Sequence, residues 1–129
     1  MKLRSMKKMS FKWVKNEIAT PTVTIYESNF TLNKIACDFF QDIRYVLLGI
    51  DESTNQLAIK PVSAEEIDLG LYPSTQLHKI SIGKSYGRIS NKLFIKNLAQ
   101  KYKMDFATQN GVKYDAIFDE DRNLLIIQL

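Results

Sequence analysis

Between residues 80 and 104 the chain carries Lys84, Arg88, Lys92, Lys96, Lys101 and Lys103 and not one acidic residue. A second acid-free block, residues 1–16, holds Lys2, Arg4, Lys7, Lys8, Lys12 and Lys15. The intervening residues 17–79 are acidic on balance, and so are residues 105–129, so the overall charge of +4 conceals a segregation. Basic blocks of this kind attract polyanions, and they also occur as solvated helix faces and tails; charge alone leaves both readings open. Within the second block Gly87-Arg88-Ile89-Ser90 is the sharpest constellation. The glycine frees the backbone for a turn into a helix. The arginine projects a planar fork suited to phosphate or to a guanine edge. Ser90 and the unpaired amides at a helix start would add phosphate donors. Lys84 before this turn, and Lys92 and Lys96 one helical turn apart after it, extend the positive strip.

Catalytic alternatives lack parts. Gly83-Lys84-Ser85 matches the end of a phosphate-binding loop, but His78 stands where its first glycine belongs. Asp119-Glu120-Asp121-Arg122-Asn123 imitates the start of a calcium loop, with Leu124 at the glycine position and the chain ending before the closing glutamate; it reads as a hairpin tip. His78 is the only histidine and Cys37 the only cysteine. A histidine-based metal cluster or a Ser-His-Asp triad cannot be assembled from them, and Cys37 beside an apolar helical stripe reads as a packed thiol. Asn29-Phe30-Thr31 is a formal glycosylation sequon with no meaning in a cytoplasmic protein. Glu65 and Glu66 are adjacent and point apart on a helix. The sequence therefore predicts no enzyme, no catalytic residue, no metal and no cofactor.

The elements that must position the basic residues come in two copies. One runs Val23-Thr24-Ile25-Tyr26, Phe30-Thr31-Leu32-Asn33-Lys34-Ile35-Ala36, Tyr45 to Glu52 and Leu57 to Lys60; the other runs Ile80 to Gly83, Gly87 to Phe94, Tyr114 to Glu120 and Leu124 to Gln128. Each reads as a short strand, a capped apolar helix and a hairpin with an acidic tip. Asn33 is expected to cap a helix burying Ile35, Ala36, Phe39, Phe40 and Ile43, and Ser90 to cap one burying Leu93, Phe94, Leu98 and Tyr102. A turn is expected around Ser85-Tyr86-Gly87, and Asn110-Gly111 reads as a tight turn. Ser63-Ala64-Glu65-Glu66 fits a capping box, stopped by Gly70 and Pro73. A repeat of roughly 40–50 residues is marginal alone, so the copies should share one core. The expected organisation is a basic arm over 1–21, a first repeat over 22–61, a connector over 62–79 and a second repeat over 80–129, with 22–129 compact. With one cysteine, no signal-peptide h-region and no 18-residue apolar run, the chain is expected in the cytoplasm and off the membrane.

The second copy resembles the swapped-hairpin domain of the AbrB family, which includes the MazE-type antitoxins and the MraZ proteins. The likeness rests on Ile80-Ser81-Ile82, Gly87-Arg88-Ile89-Ser90, the helix from Asn91 and the terminal hairpin; the tandem arrangement looks most like MraZ. In the first copy Phe30-Thr31-Leu32-Asn33 stands in place of the glycine and arginine. The resemblance implies a β-rich fold with short helices (all-β or α+β), in which two pseudo-symmetric β-α-β-hairpin repeats interleave into one swapped-hairpin barrel. It also implies that the arginine-bearing region faces DNA. The expected function is thus a small DNA-binding transcriptional regulator. Duplex DNA would meet Lys84, Arg88, Ser90, Lys92 and Lys96, with Lys2, Arg4, Lys7 and Lys8 of the arm adding phosphate contacts. The alternative is a non-enzymatic interaction or assembly module without nucleic-acid binding, antitoxin-like or accessory to a mobile element. A homo-oligomer or a protein partner fits either.

Overall fold

The computed structural model of the chain describes residues 10–11 and 20–129. Eight antiparallel strands close into a barrel: β1 (Thr22–Ile25), β2 (Asn29–Asn33), β3 (Tyr45–Asp51), β4 (Gln56–Val62), β5 (His78–Ile82), β6 (Tyr86–Ser90), β7 (Val112–Asp119) and β8 (Leu124–Gln128). Around the barrel their order is β1-β2-β6-β5-β3-β4-β8-β7, with β7 returning to β1. Three short helices interrupt them: α1 (Lys34–Cys37), α2 (Ala64–Asp68) and α3 (Lys92–Tyr102). The β-rich class with short helices expected from the sequence is therefore the observed one.

Strands β1, β2, β6 and β8 alternate, as half-buried strands do, and the inward residues fill the barrel. Val23, Ile25, Phe30, Leu32, Val46, Leu57, Ile59, Ile80, Ile89, Leu125 and Ile127 form one cluster with Ile95 and Leu98 of α3. No polar or charged side chain among the described residues is buried.

Exchanging β1–β4 with β5–β8 leaves the set of eight neighbouring strand pairs unchanged. Two pairings lie at the centres of this exchange. In one, Thr31 faces Arg88, flanked by Phe30 opposite Ile89 and Leu32 opposite Gly87. In the other, Ala58 faces Ile126, flanked by Leu57 opposite Ile127 and Ile59 opposite Leu125. The β3–β4 and β7–β8 hairpins follow one local recipe. Asp51 accepts from the Ser53 amide and Asp119 from the Asp121 amide, at 3.0 and 3.1 Å. Asn55 and Asn123 then close the loops at φ 55° and 57°, a conformation asparagine tolerates well.

Several local expectations are corrected. Residues 29–33 and 86–90 are strands, not turns or helix starts, so each half has four strands. The turn lies one step earlier, with the Gly83 amide donating to the Tyr86 carbonyl at 2.9 Å. Gly87 sits inside β6, without a positive φ; its role is close approach, since a Cβ there would lie 2.8 Å from Cys37 Sγ. Asn91, not Ser90, caps α3, its Oδ1 accepting from the Phe94 amide at 3.0 Å. The α3 stripe is accordingly Ile95 and Leu98 with Phe94 and Tyr102 half-buried against the core, while Leu93 is 69% exposed. Three consecutive apolar residues, Leu93-Phe94-Ile95, fit two phases of the same period, and the cap selects one.

Helix α1 is one turn long and continues as a 3-10 turn, Asp38–Phe40, whose tighter winding buries Phe40 and swings Phe39 outward. Phe39 stacks instead on Phe118, with ring centroids 4.3 Å apart. Asn110-Gly111 is not a positive-φ hairpin turn but the lead into β7, where the open side of Gly111 receives the Tyr26 ring. The Asn33 cap and the Ser63–Glu66 capping box form as the sequence suggests.

Candidate nucleic-acid interface

Arg88 is held by strand alternation. Ile89 points into the barrel and Gly87 is buried, so Tyr86, Arg88 and Ser90 project outward. The registers place Arg88 beside Ser81 of β5 and Thr31 of β2; Thr31 faces Thr24 of β1, and Thr24 faces Lys113 of β7. The row Ser81–Arg88–Thr31–Thr24–Lys113 thus crosses five strands with two cations and no carboxylate. Adjacent strands lie about 4.8 Å apart, so Arg88 and Lys113 stand roughly 14 Å from one another along it.

The Arg88 guanidinium lies 5.5 Å from the centroid of the Tyr86 ring, within cation–π range, and its Nη2 donates to the Tyr86 hydroxyl at 3.5 Å. Neither contact neutralises it. A shallow depression of about 420 Å³ beside it is lined by Tyr26, Asn29, Thr31, Tyr86 and Arg88. Among its lining residues Thr31 Oγ1 donates to Asn29 Oδ1 at 2.8 Å.

The other expected contacts distribute unevenly. Lys84 is exposed in the β5–β6 loop, and Ser90 is exposed at the end of β6, opposite Asn29. Lys92 and Lys96 line a second cleft of about 490 Å³, across the β1–β2 turn, over the apolar side chains of Ala99, Met104 and Phe106. Glu27 lines the same cleft and sets a negative charge against the two lysines. Lys101 is engaged with Glu52 at 2.8 Å, which holds its ammonium above the usual lysine range. Lys2, Arg4, Lys7 and Lys8 lie outside the described residues.

The start of α3 is tied to β5 through one asparagine. Asn91 spends its Oδ1 on the Phe94 amide and turns its Nδ2 to His78 Nδ1 at 3.2 Å. Partial burial pushes the His78 imidazole below its ordinary value, and this geometry suits the neutral ring with Nδ1 as acceptor. Burial, and to a lesser degree the neighbouring Asp38 carboxylate, pushes the Cys37 thiol up, so it remains a packed thiol rather than a nucleophile.

The opposite wall has a different character. Gly49 faces Ala58, Ala58 faces Ile126 and Ile126 faces Ile117, an apolar row across β3-β4-β8-β7 in which Ile117 is 73% exposed. The barrel therefore presents a polar, cation-bearing wall and an apolar one on opposite sides.

Sequence reasoning missed Lys113, Tyr26, Asn29 and Thr31 as neighbours of Arg88. The alternation Val112-Lys113-Tyr114-Asp115 put Lys113 outward in phase, but only the closure of β7 on β1 brings it to the Arg88 side. No family model, curated protein or solved structure matches the chain. Among the described residues no helix is long and apolar enough to cross a membrane, and no group of three or more potential metal ligands forms.

Proposed function

We propose that the chain is a nucleic-acid-binding regulator that meets duplex DNA with the wall centred on Arg88. The observation that carries this reading is the carboxylate-free row Ser81–Arg88–Thr31–Thr24–Lys113, which offers a guanidinium toward one end, an ammonium at the other and three hydroxyls at strand spacing. Hydroxyls and cations in this pattern contact phosphates and fix register, and an arginine fork can add a base edge. Lys84 and Ser90 flank the row, and Lys92 and Lys96 lie beyond the β1–β2 turn.

The architecture we assign is a tandem swapped-hairpin barrel of the AbrB and MraZ kind, with pseudo-symmetric halves. It is supported by the strand pairs that survive exchange of the halves, and by the matching Asp51–Asn55 and Asp119–Asn123 hairpins. In this reading Thr31 and Arg88 are equivalent positions facing each other across the internal axis, so one half supplies the arginine and the other a hydroxyl. Such a protein acts in transcription, in the cytoplasm, without catalysis or a cofactor.

The test is binding of labelled duplex DNA by the full chain and by Arg88 variants. Arg88→Ala should weaken all sequences, and Arg88→Lys should mainly erase discrimination between sequences, worth about 1–3 kcal/mol for a bidentate base contact. A folded Arg88→Ala variant that binds as the parent does would refute the assignment. The second reading, an assembly module without nucleic-acid binding, is favoured by the apolar row Gly49–Ala58–Ile126–Ile117, which a homo-oligomer or a protein partner would cover.

A further inference from the structure

We infer that the depression beside Arg88 takes an unpaired nucleotide, with its base against tyrosine and its phosphate on the guanidinium, so that the wall prefers strands with accessible bases over intact duplex. The inference rests on the nucleic-acid reading and deepens it by naming the form of the ligand.

The two tyrosines of the depression are fixed differently. The Tyr26 ring lies in the space left by Gly111: a Cβ added there would stand 2.8 Å from Cε1 and 2.9 Å from Cδ1. Gly111 thus backs one side of the Tyr26 ring. Tyr86 stands 47% exposed on β6 and is braced by the Arg88 guanidinium 5.5 Å from its centroid. Between them Asn29 has its Oδ1 engaged by the Thr31 hydroxyl, which leaves Nδ2 as a donor for a ligand acceptor. Two aromatic rings, a cation and an amide around about 420 Å³ match what a nucleotide presents: a flat apolar face, a polar edge and an anion.

An intact duplex cannot use these rings. Its base faces are stacked inside the helix, and it offers a protein only groove edges and phosphates. Duplex DNA would thus engage Arg88 and Lys113 but leave the faces of the Tyr26 and Tyr86 rings without a stacked base. A single strand, a bulge or a loop can turn one base into the depression while its backbone follows the cations. Stacking of this kind tolerates any base, because every base has a flat face.

The experiment compares three labelled probes of equal length with the full chain: a mixed-sequence single strand, the corresponding duplex, and an abasic strand that keeps the sugar–phosphate backbone alone. The expected result is tightest binding to the single strand. Tyr86→Ala should lower that affinity about 5- to 150-fold, the range for loss of one stacked base, and Tyr86→Phe should retain most of it. Because Tyr86 lies outside the barrel core, both variants should fold, which circular dichroism checks. If the single strand and the abasic strand bind alike, or if Tyr86→Ala changes nothing, the base-stacking inference is overturned while duplex binding still supports the broader reading. If none of the three probes binds, the nucleic-acid reading itself fails and the inference falls with it.

Discussion

Replacing Gly87 with alanine should destabilise the barrel, and the loss should disappear when Cys37 is also alanine. The added Cβ would lie 2.8 Å from Cys37 Sγ, well inside contact distance, but at an ordinary 3.5 Å from the Ser81 carbonyl oxygen and 3.6 Å from Ile82 Cγ1. One atom therefore carries the clash. The thiol has little room to yield, because Cys37 is buried within the core cluster and lies 3.7 Å from the Leu32 carbonyl. Overpacking of this size costs about 1–3 kcal/mol. Cys37→Ala alone removes one buried atom and should cost about 0.5–1.5 kcal/mol, on the scale of a deleted methyl. In that background the clash is gone and Gly87→Ala should be neutral, or stabilising by about 0.5 kcal/mol, since glycine inside a strand carries extra unfolded-state entropy. The cycle should therefore show a coupling of about 1–3 kcal/mol, readable by urea unfolding followed by circular dichroism. Additive losses in the double variant would refute the placement of β6 against α1, and with it the registration of Arg88 on the outer face.

The other predictions are more local. Ile95→Ala should cost about 2–5 kcal/mol and Leu93→Ala within about 0.5, measured by the same unfolding assay, and equal losses would contradict the assigned phase of α3. Glu27→Gln should tighten nucleic-acid binding about 2- to 3-fold at low salt by removing the carboxylate from the cleft of Lys92 and Lys96; unchanged affinity would place that cleft outside the interface. His78, whose folded pKa is depressed by burial, contributes stability that is present above 6.5 and is lost as pH falls through the folded value. Protonation also turns Nδ1 into a donor facing the Asn91 amide, whose oxygen is committed to capping α3. Unfolding midpoints should therefore begin to fall below about pH 6.5 in the parent and not in His78→Gln, apart from the separate loss at lower pH where Asp51, Glu66 and Asp119, all held low by hydrogen bonds, take up protons.

The β3–β4 and β7–β8 hairpins were legible from their turn residues. Asp51-Glu52 to Asn55 and Asp119-Glu120 to Asn123 carry strong turn chemistry at equal spacing, and the flanking β-rich runs are long enough to read as hairpins. The five-residue strands β2 and β6 were not legible. Each lies directly before a capped helix, so Asn29–Asn33 and Tyr86–Ser90 read as the approach to a helix rather than as a strand that pairs across the halves. Gly87 pointed toward a turn because glycine is chosen both for positive φ and for close approach, and sequence cannot separate the two uses. Helix α3 was legible in extent but not in phase. For the interface, the acid-free block picked out Arg88 and Lys84, while Lys113, Thr24 and Thr31 come to the same wall only through pairings between residues distant in the chain.

The central claim, that the Arg88 wall binds nucleic-acid phosphates, is tested most directly by the salt dependence of duplex binding measured by fluorescence anisotropy. Three contacts from Arg88, Lys84 and Lys113 predict a slope of log K against log[salt] near about −2.7, steeper if Lys92, Lys96 or the basic arm join, and each of Arg88→Ala and Lys113→Ala should flatten it by about 0.9. Absence of binding at low salt in a folded sample, or a slope indifferent to both substitutions, would contradict the account.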